Sequence, residues 1–126
     1  MSVLVDTSVW SDHFRRPNAL LAGLVVLDEV LTHPVVIGEL ACGTLPGPRL
    51  RTLADMELLL SARLATRDEV HHLIEREQLF GLGCGFMDLS LLASTLITPG
   101  AALWTFDQRL SNLANRFGVG FSPAVH

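Results

Sequence analysis

The sequence predicts an α/β protein in which a central sheet of short parallel strands is flanked by helices, giving three layers in the order α/β/α. Two observations lead to this prediction. Short apolar segments of strand length alternate along the chain with longer segments of helical periodicity. Helix start and stop signals, mainly Pro, Gly and capping residues, stand between them. Strands that alternate with helices in this way pair in parallel and are covered on both faces.

Residues 3–33 predict two strands and two helices. Residues 3–6 are apolar up to a terminal Asp and form a short buried strand. A helix follows over residues 8–15, with Ser8 or Thr7 as its N-cap. Residues 19–27 form a second short helix after the Pro17 break, and residues 30–33 form the second strand.

The next segment predicts two further helices. Pro34 suits the first position of a helix, and Gly43 suits the position just past its end. A loop rich in Pro follows at residues 45–48. Residues 49–60 then form an amphipathic helix, because their Leu and Met residues fall on or near one face.

A third strand and two more helices are predicted between residues 64 and 97. Residues 64–66 form the strand, and the capping box Thr66-Arg67-Asp68-Glu69 opens a helix that reaches about residue 79. The glycine-rich segment 81–85 lacks the Lys-Ser/Thr pair of a phosphate-binding P-loop, so it is interpreted as a flexible loop. Residues 86–97 form a mostly apolar helix.

The last quarter of the chain predicts a strand, a helix and a final short strand. Pro99-Gly100 turns into a strand over residues 102–105, and Asp107 or Thr105 caps a helix that runs to about residue 117. Residues 118–120 lead into the last strand. In open parallel sheets the ligand crevice lies at the carboxyl ends of the strands. Asp6 and Asp107 both fall at those ends.

Composition predicts one domain, residues 1–126, with a core of its own. Met1 leads directly into the first strand, without the features of a signal peptide. The longest apolar stretches, such as residues 19–27, are too short to span a bilayer. Cys42 and Cys84 are expected to pack as small apolar side chains and not to form a disulfide. These features favour a soluble cytoplasmic protein.

Four acidic residues stand where the chain is otherwise apolar, and they are its most informative feature. A carboxylate withdrawn from water costs several kcal/mol unless something compensates it. The sequence contains no Lys, so a divalent cation is the candidate partner. Without these four, nine acidic residues balance nine Arg, whose planar guanidinium suits phosphate. The four acids are Asp6, Glu39, Asp88 and Asp107.

Each acid also has a structural alternative. Asp6 and Asp107 both precede predicted helices and can act as N-caps. Glu39 and Asp88 have only apolar or small neighbours three and four residues away, and neither has an evident capping role. Among the histidines, His33 is interpreted as a core or edge residue, and the His71-His72 pair lacks further ligands at zinc spacing.

The four acids lie in four short motifs whose order and spacing resemble those of one family. The resemblance is to PIN-domain ribonucleases, in particular the VapC toxins of bacterial toxin–antitoxin pairs, and it covers residues 3–121. Where some members carry a further acid after the fourth motif, this chain has Gln108 and Arg109. The motifs are Leu4-Val5-Asp6-Thr7-Ser8-Val9-Trp10, Val36-Ile37-Gly38-Glu39-Leu40, Gly85-Phe86-Met87-Asp88-Leu89 and Leu103-Trp104-Thr105-Phe106-Asp107.

The resemblance implies a PIN-like fold and a metal-dependent endoribonuclease that leaves a 5′-phosphate and a 3′-hydroxyl. The four acids would hold Mg²⁺ or Mn²⁺, which activates water for attack on the phosphodiester. Hydroxyl groups beside the acids would orient them, and three Arg are candidates for contact with RNA. The hydroxyl residues are Thr7, Ser8 and Thr105, and the Arg residues are Arg15, Arg16 and Arg109.

The resemblance also implies a VapB-like antitoxin as partner and a homodimer or a dimer-based toxin–antitoxin complex. Two other interpretations of the sequence are possible. Haloacid dehalogenases and response regulators also place Asp after a first strand, but they use a Lys that this chain lacks. A catalytically inactive PIN-like interaction module is the second alternative, and the presence of all four acids argues against it.

Overall fold

The computed structural model describes residues 1–123, in which strands and helices alternate as predicted. The strands are β1 (Ser2–Val5), β2 (Val30–Thr32), β3 (Leu60–Ser61) and β4 (Ala101–Trp104). The helices are α1 (Thr7–Arg15), α2 (Ala19–Val26), α3 (Pro34–Ala41), α4 (Arg49–Glu57), α5 (Arg67–Glu77), α6 (Phe86–Ile97) and α7 (Gln108–Arg116).

The four strands form one parallel sheet in the order β3-β2-β1-β4. Seven helices flank the sheet within the described range, so the predicted α/β fold with a PIN-like three-layer arrangement is confirmed. β1 is central and pairs with β4 along its whole length, from Ser2 opposite Ala101 to Val5 opposite Trp104. The carboxyl ends of β1 and β4 therefore lie side by side, as the crevice prediction requires.

The core explains why the strands are apolar without alternation. Val3, Leu4 and Val5 are fully buried, because helices cover both faces of the central strand. The helices pack in two sets: α3 contacts α1 and α4, while α6 contacts α5, α7 and the edge strand β4. Helix α6 is the most buried, with every residue from Leu89 to Thr95 withdrawn from water.

The third strand and the preceding helix are where the prediction is wrong. The helix predicted over residues 49–60 ends at Glu57, and the strand predicted at residues 64–66 lies instead at Leu60–Ser61. β3 is a two-residue edge strand whose side chains are exposed. Its sequence therefore shows neither the apolar run nor the alternation that identifies a buried strand. It forms because Leu60 and Ser61 pair with Leu31 and Thr32 of β2.

Most helix ends follow the sequence signals. The capping box of Thr66 and Glu69 is confirmed, and Pro34 occupies the first turn of α3. The end predicted at Gly43 is wrong, because α3 stops at Ala41 with Cys42 as its C-cap. The final strand is reduced to an isolated bridge between Leu103 and Gly120.

No helix in residues 1–123 is both long enough and apolar enough to cross a membrane. Cys42 is exposed and Cys84 is half-buried, and both are free thiols. The one-domain prediction extends to residue 126, and its last three residues lie outside the described range.

Candidate active site

Asp6 lies at the end of the central strand and is the one buried acid of the four, with 6% of its surface exposed. Its backbone N–H donates to the carbonyl of Trp104 at 2.9 Å, which continues the β1–β4 pairing by one residue. Its Oδ2 accepts hydrogen bonds from the Ser8 hydroxyl at 2.8 Å and the Thr105 hydroxyl at 2.7 Å. Asp6 occupies the N-cap position of α1 without a side-chain capping bond, so the capping alternative is wrong for this residue.

The two hydroxyls that bind Asp6 also connect β1 to the segment after β4. The Ser8 hydroxyl oxygen accepts from the Phe106 N–H at 3.0 Å, and that of Thr105 accepts from the Asp107 N–H at 3.0 Å. Each hydroxyl hydrogen is directed to Asp6, so the 3.4 Å approach of the two oxygens to each other is a contact only. The network fixes the Asp6 carboxylate relative to Asp107.

Asp107 is exposed and caps α7. Its Oδ1 accepts from the Leu110 N–H at 3.0 Å, so the N-cap alternative is confirmed for Asp107. A capping carboxylate uses one oxygen for the helix and keeps the second. Capping and a further role at the site are therefore compatible.

Asp88 and Glu39 are each held by a single hydrogen bond. Asp88 lies in the first turn of α6, and its Oδ2 accepts from the Gly85 N–H at 3.2 Å. It therefore has a helix-capping role, and the expectation that it has none is wrong. Glu39 lies on α3, and its Oε1 accepts from the Thr7 hydroxyl at 3.0 Å.

The pKa of Asp88 is influenced by the charges of two of the other acids. Burial raises the pKa of Asp88, the hydrogen bond from the Gly85 N–H opposes the rise, and the negative charges of Asp107 and Asp6 add to it. Burial likewise raises the pKa of the Cys84 thiol, and the charges of Asp88 and Asp107 act in the same direction. Asp88 therefore lies within electrostatic range of Asp6 and Asp107, and Glu39 is connected to this part of the fold by its hydrogen bond from Thr7, the neighbour of Asp6.

The expectation that all four acids are withdrawn from water is wrong. Glu39 and Asp107 are exposed and Asp88 is half-buried. The apolar residues around Glu39 in the sequence, such as Val36 and Leu40, face the core, while Glu39 lies on the outer face of α3. Apolar sequence neighbours indicate a buried helix face, and they do not place every residue of that helix on it.

The chemistry of the four carboxylates suits a hard divalent cation. Each carboxylate is fixed through one oxygen, and its second oxygen receives no hydrogen bond from the described residues. The two ion pairs among the described residues both involve Glu77, so none of the four acids is part of an ion pair there. Within residues 1–123 no three His, Cys, Asp or Glu side chains form a group able to hold a metal ion. The acids thus offer oxygen ligands and unpaired charge without a preassembled cage.

The remaining candidate residues divide between the site and the far end of α1. Thr7, Ser8 and Thr105 all bind a site carboxylate. Arg15 and Arg16 lie at the C-terminal end of α1, roughly 14–15 Å along the helix axis from Asp6.

Arg109 lies in the first turn of α7, two residues after Asp107, and its charge acts on Cys84 against those of the acids. Of the three candidate Arg residues, the fold therefore brings Arg109 to the acidic edge. His33 is buried and hydrogen-bonded to Ser94 and Val35, as the interpretation of a core histidine predicted.

Sequence reasoning missed the contribution of the glycine-rich loop at residues 81–85. The Gly85 N–H binds Asp88, and Gly83 lies against the Arg109 side chain. The alternating glycines at 81, 83 and 85 are the available signal in the sequence, which the prediction of a flexible loop does not use.

Comparison with known proteins agrees with the geometry. Residues 3–116 match the PIN domain family. The chain is similar to Ribonuclease VapC32 from Mycobacterium tuberculosis, in both strain CDC 1551 / Oshkosh and strain ATCC 25618 / H37Rv. In each case 41% of 123 aligned residues are identical, and the alignment covers 98% of this chain and 98% of the relative.

Proposed function

Since the chain belongs to the PIN domain family, we propose that it is a metal-dependent endoribonuclease and the toxin of a VapBC-type pair. The similarity to Ribonuclease VapC32 extends over nearly the full length of both chains, which supports transfer of the activity. RNA would be the substrate, and Mg²⁺ or Mn²⁺ the cofactor. We further propose that the whole chain forms one domain and acts in the cytoplasm, where its RNA substrates are found.

The observation that carries the proposal is the way the four acids are held. Each of Asp6, Glu39, Asp88 and Asp107 has one oxygen fixed by a hydrogen bond within the described chain and one oxygen without such a bond. An oxygen without a hydrogen bond from the protein is open to water or to a bound cation. Four carboxylates that each keep one such oxygen, with no ion-pair partner in the described residues, support a role in binding a cation.

The residues around the acids would set their orientation. When bound, the metal would supply positive charge at the scissile phosphate and an activated water for attack on phosphorus. Ser8 and Thr105 hold one oxygen of Asp6 and so direct its other oxygen. Thr7 does the same for Glu39, and the first turns of α6 and α7 do so for Asp88 and Asp107.

Asp6→Asn tests the proposal directly. Asn keeps the shape of the side chain and an oxygen for the two hydroxyls, but it removes the charge. We expect RNA cleavage in Mg²⁺ or Mn²⁺ to fall by roughly 100-fold or more, since one metal-binding carboxylate is lost. Asp55→Asn is the matched control, because it removes an exposed carboxylate from α4 and should leave the rate unchanged. Gel analysis of labelled RNA measures the rate, and circular dichroism measures the fold.

The alternative function, an inactive PIN-like interaction module, predicts a different result. Wild-type protein would then show no metal-dependent cleavage above the Asp6→Asn background on total RNA. Cleavage that persists in a folded Asp6→Asn variant would instead refute the assignment of the site.

The partners are proposed on the same basis. A VapB-like antitoxin is supported by the VapC name of the relative. Apolar side chains at the end of α2 remain exposed, with Val26 at 83% and Leu27 at 66%, which supports contact with the antitoxin or with a second copy in a homodimer.

A further inference from the structure

The side chain of Arg109 lies directly on the backbone of Gly83. A Cβ atom built on Gly83 would be 2.7 Å from Cδ, 2.8 Å from Nη1 and 2.9 Å from Nε of Arg109. These distances are shorter than carbon and nitrogen atoms can approach without a bond, so any side chain at position 83 would displace the guanidinium. Arg109 thus links the first turn of α7, which follows Asp107, to the loop that precedes α6 and Asp88.

Gly83 differs in this respect from the neighbouring glycine of the same loop. Gly81 and Gly83 both have positive φ values, +73° and +88°, which disfavour other residues. A Cβ on Gly81 would meet no atom within 4 Å. Gly83 therefore carries two requirements, a backbone conformation and the space for Arg109, whereas Gly81 carries only the first.

The guanidinium that rests on Gly83 keeps its hydrogen-bond donors available. Within residues 1–123, Arg109 donates no hydrogen bond and forms no ion pair. Its positive charge nevertheless acts on Cys84, the residue that Asp88 and Asp107 also influence. A guanidinium with free donors suits a phosphate group, which it can bind through two parallel hydrogen bonds.

We propose that Gly83 is a positioning residue that holds Arg109 between the first turn of α7, next to Asp107, and the loop before Asp88, where the guanidinium binds a backbone phosphate of the RNA. This inference rests on the proposed ribonuclease function and adds to it a particular contact and its support. Arg15 and Arg16 lack such a seat, because they are exposed at the far end of α1. Arg109 contributes to substrate binding, and Gly83 acts through Arg109.

The first experiment measures the phosphate contact. Arg109→Ala should raise KM for a single-stranded RNA by about tenfold and change kcat by less than about twofold, because it removes a charge-assisted contact away from the reacting atoms. The slope of log KM against log salt should fall by about 0.7, the value for one lost phosphate contact on a single strand. Arg109→Lys should restore the salt slope, since it keeps the charge, but only part of the affinity. Arg51→Ala removes an exposed Arg of α4 that has no role in the site, and as the control it should leave KM within about twofold.

The second experiment distinguishes the contact between Gly83 and the Arg109 side chain from a general effect of backbone strain in the loop. Gly83→Ala should raise KM about as much as Arg109→Ala does. Gly81→Ala imposes the same backbone strain without touching Arg109, and it should leave KM near the wild-type value. In the double variant, Gly83→Ala should add nothing to the effect of Arg109→Ala, because both changes remove one interaction.

Several outcomes overturn the inference. A KM for Arg109→Ala within about twofold of wild type excludes the phosphate contact. Equal changes of KM in Gly81→Ala and Gly83→Ala would exclude a role of Gly83 in positioning Arg109. Additive changes of KM in the double variant of Gly83→Ala and Arg109→Ala would exclude it as well. If Gly83→Ala fails to fold, the Arg109 variants and their salt slopes still decide the phosphate contact. Absence of cleavage by the wild-type protein would be a failure of the proposed function itself. The Arg109 contact would then be decided separately, by comparing RNA binding of the Asp6→Asn protein with and without Arg109→Ala.

Discussion

At the residue scale, the Thr105 hydroxyl makes two hydrogen bonds just after the end of β4. It donates to the buried Asp6 carboxylate and accepts the N–H of Asp107, so it connects two candidate metal ligands that are far apart in sequence. Its side chain is almost fully buried, and water cannot readily replace either bond. The threonine therefore contributes both to stability and to the orientation of the acids.

Thr105→Val tests both contributions, because Val has nearly the shape of Thr without the hydroxyl. We expect the free energy of unfolding to fall by about 2 kcal/mol, since a buried carboxylate loses one of two donors and an N–H loses its acceptor. RNA cleavage should fall by about tenfold, as for the loss of other groups that orient metal ligands. Urea denaturation and the cleavage assay measure the two effects. Thr105→Ser keeps the hydroxyl and should lose much less of either; equal losses in both variants would contradict the role of the hydroxyl.

At the element scale, α3 depends on a histidine at its start. The Nδ1 atom of His33 accepts the Val35 N–H at 3.0 Å, which caps the helix that carries Glu39. The other ring nitrogen therefore carries the hydrogen and donates to the Ser94 hydroxyl at 3.0 Å, which attaches α3 to α6. Burial lowers the pKa of His33, and a proton on Nδ1 would also abolish the capping bond.

This arrangement predicts that acid weakens the fold through His33. The folded-state pKa is below the unfolded value of 6.5, so at intermediate pH the unfolded chain binds more protons than the folded one. The stability contributed by neutral His33 is present above pH 6.5 and is lost as the pH falls below that value, by at most about 1.4 kcal/mol per pH unit.

Urea denaturation between pH 7.5 and 5 measures this loss. His33→Asn retains a capping acceptor but does not titrate, so its stability should depend less on pH over that range. Identical pH dependence in the two proteins would show that His33 is not responsible.

At the scale of the whole molecule, negative charge is concentrated at the carboxyl end of the sheet. Burial raises the pKa of Asp88, and the negative charges of Asp107 and Asp6 raise it further. The ionised form of Asp88 is therefore less stable in the folded, metal-free protein than in the unfolded chain. This is the direction expected if crowded carboxylates repel one another in the absence of a cation. The fold thus retains a charge arrangement that a divalent ion would relieve.

Addition of Mg²⁺ or Mn²⁺ is therefore expected to raise the melting temperature. At a metal concentration tenfold above Kd, the stabilisation is about 1.4 kcal/mol, which corresponds to roughly 5 °C for a domain of this size. Differential scanning calorimetry with and without EDTA measures the shift. Asp88→Asn should melt higher than wild type in EDTA, because it removes the repelled charge, and should respond less to metal. Absence of any shift at millimolar metal would count against the site.

The alternation of strands and helices, their parallel pairing and most helix starts could be predicted from the sequence. These features depend on local chemistry: apolar runs such as residues 3–5, Pro34 at a first helical position and the capping box of Thr66. The four acids could also be picked out, because each of them stands in an otherwise apolar stretch of the chain. β3 could not be found, since an exposed two-residue strand exists only through its pairing with β2.

By itself, the sequence singled out the four carboxylates and placed Asp6 and Asp107 after predicted strands. Only the tertiary structure decided how each of them is held: Asp6 by hydroxyls from two segments that lie 97 positions apart, Asp107 and Asp88 by their own helix starts, and Glu39 by Thr7. It also decided that Arg109, and not Arg15 or Arg16, reaches that edge against Gly83. The physical reason is that exposure and hydrogen-bond partners depend on which distant segments come together, and the local pattern of residues does not contain that information.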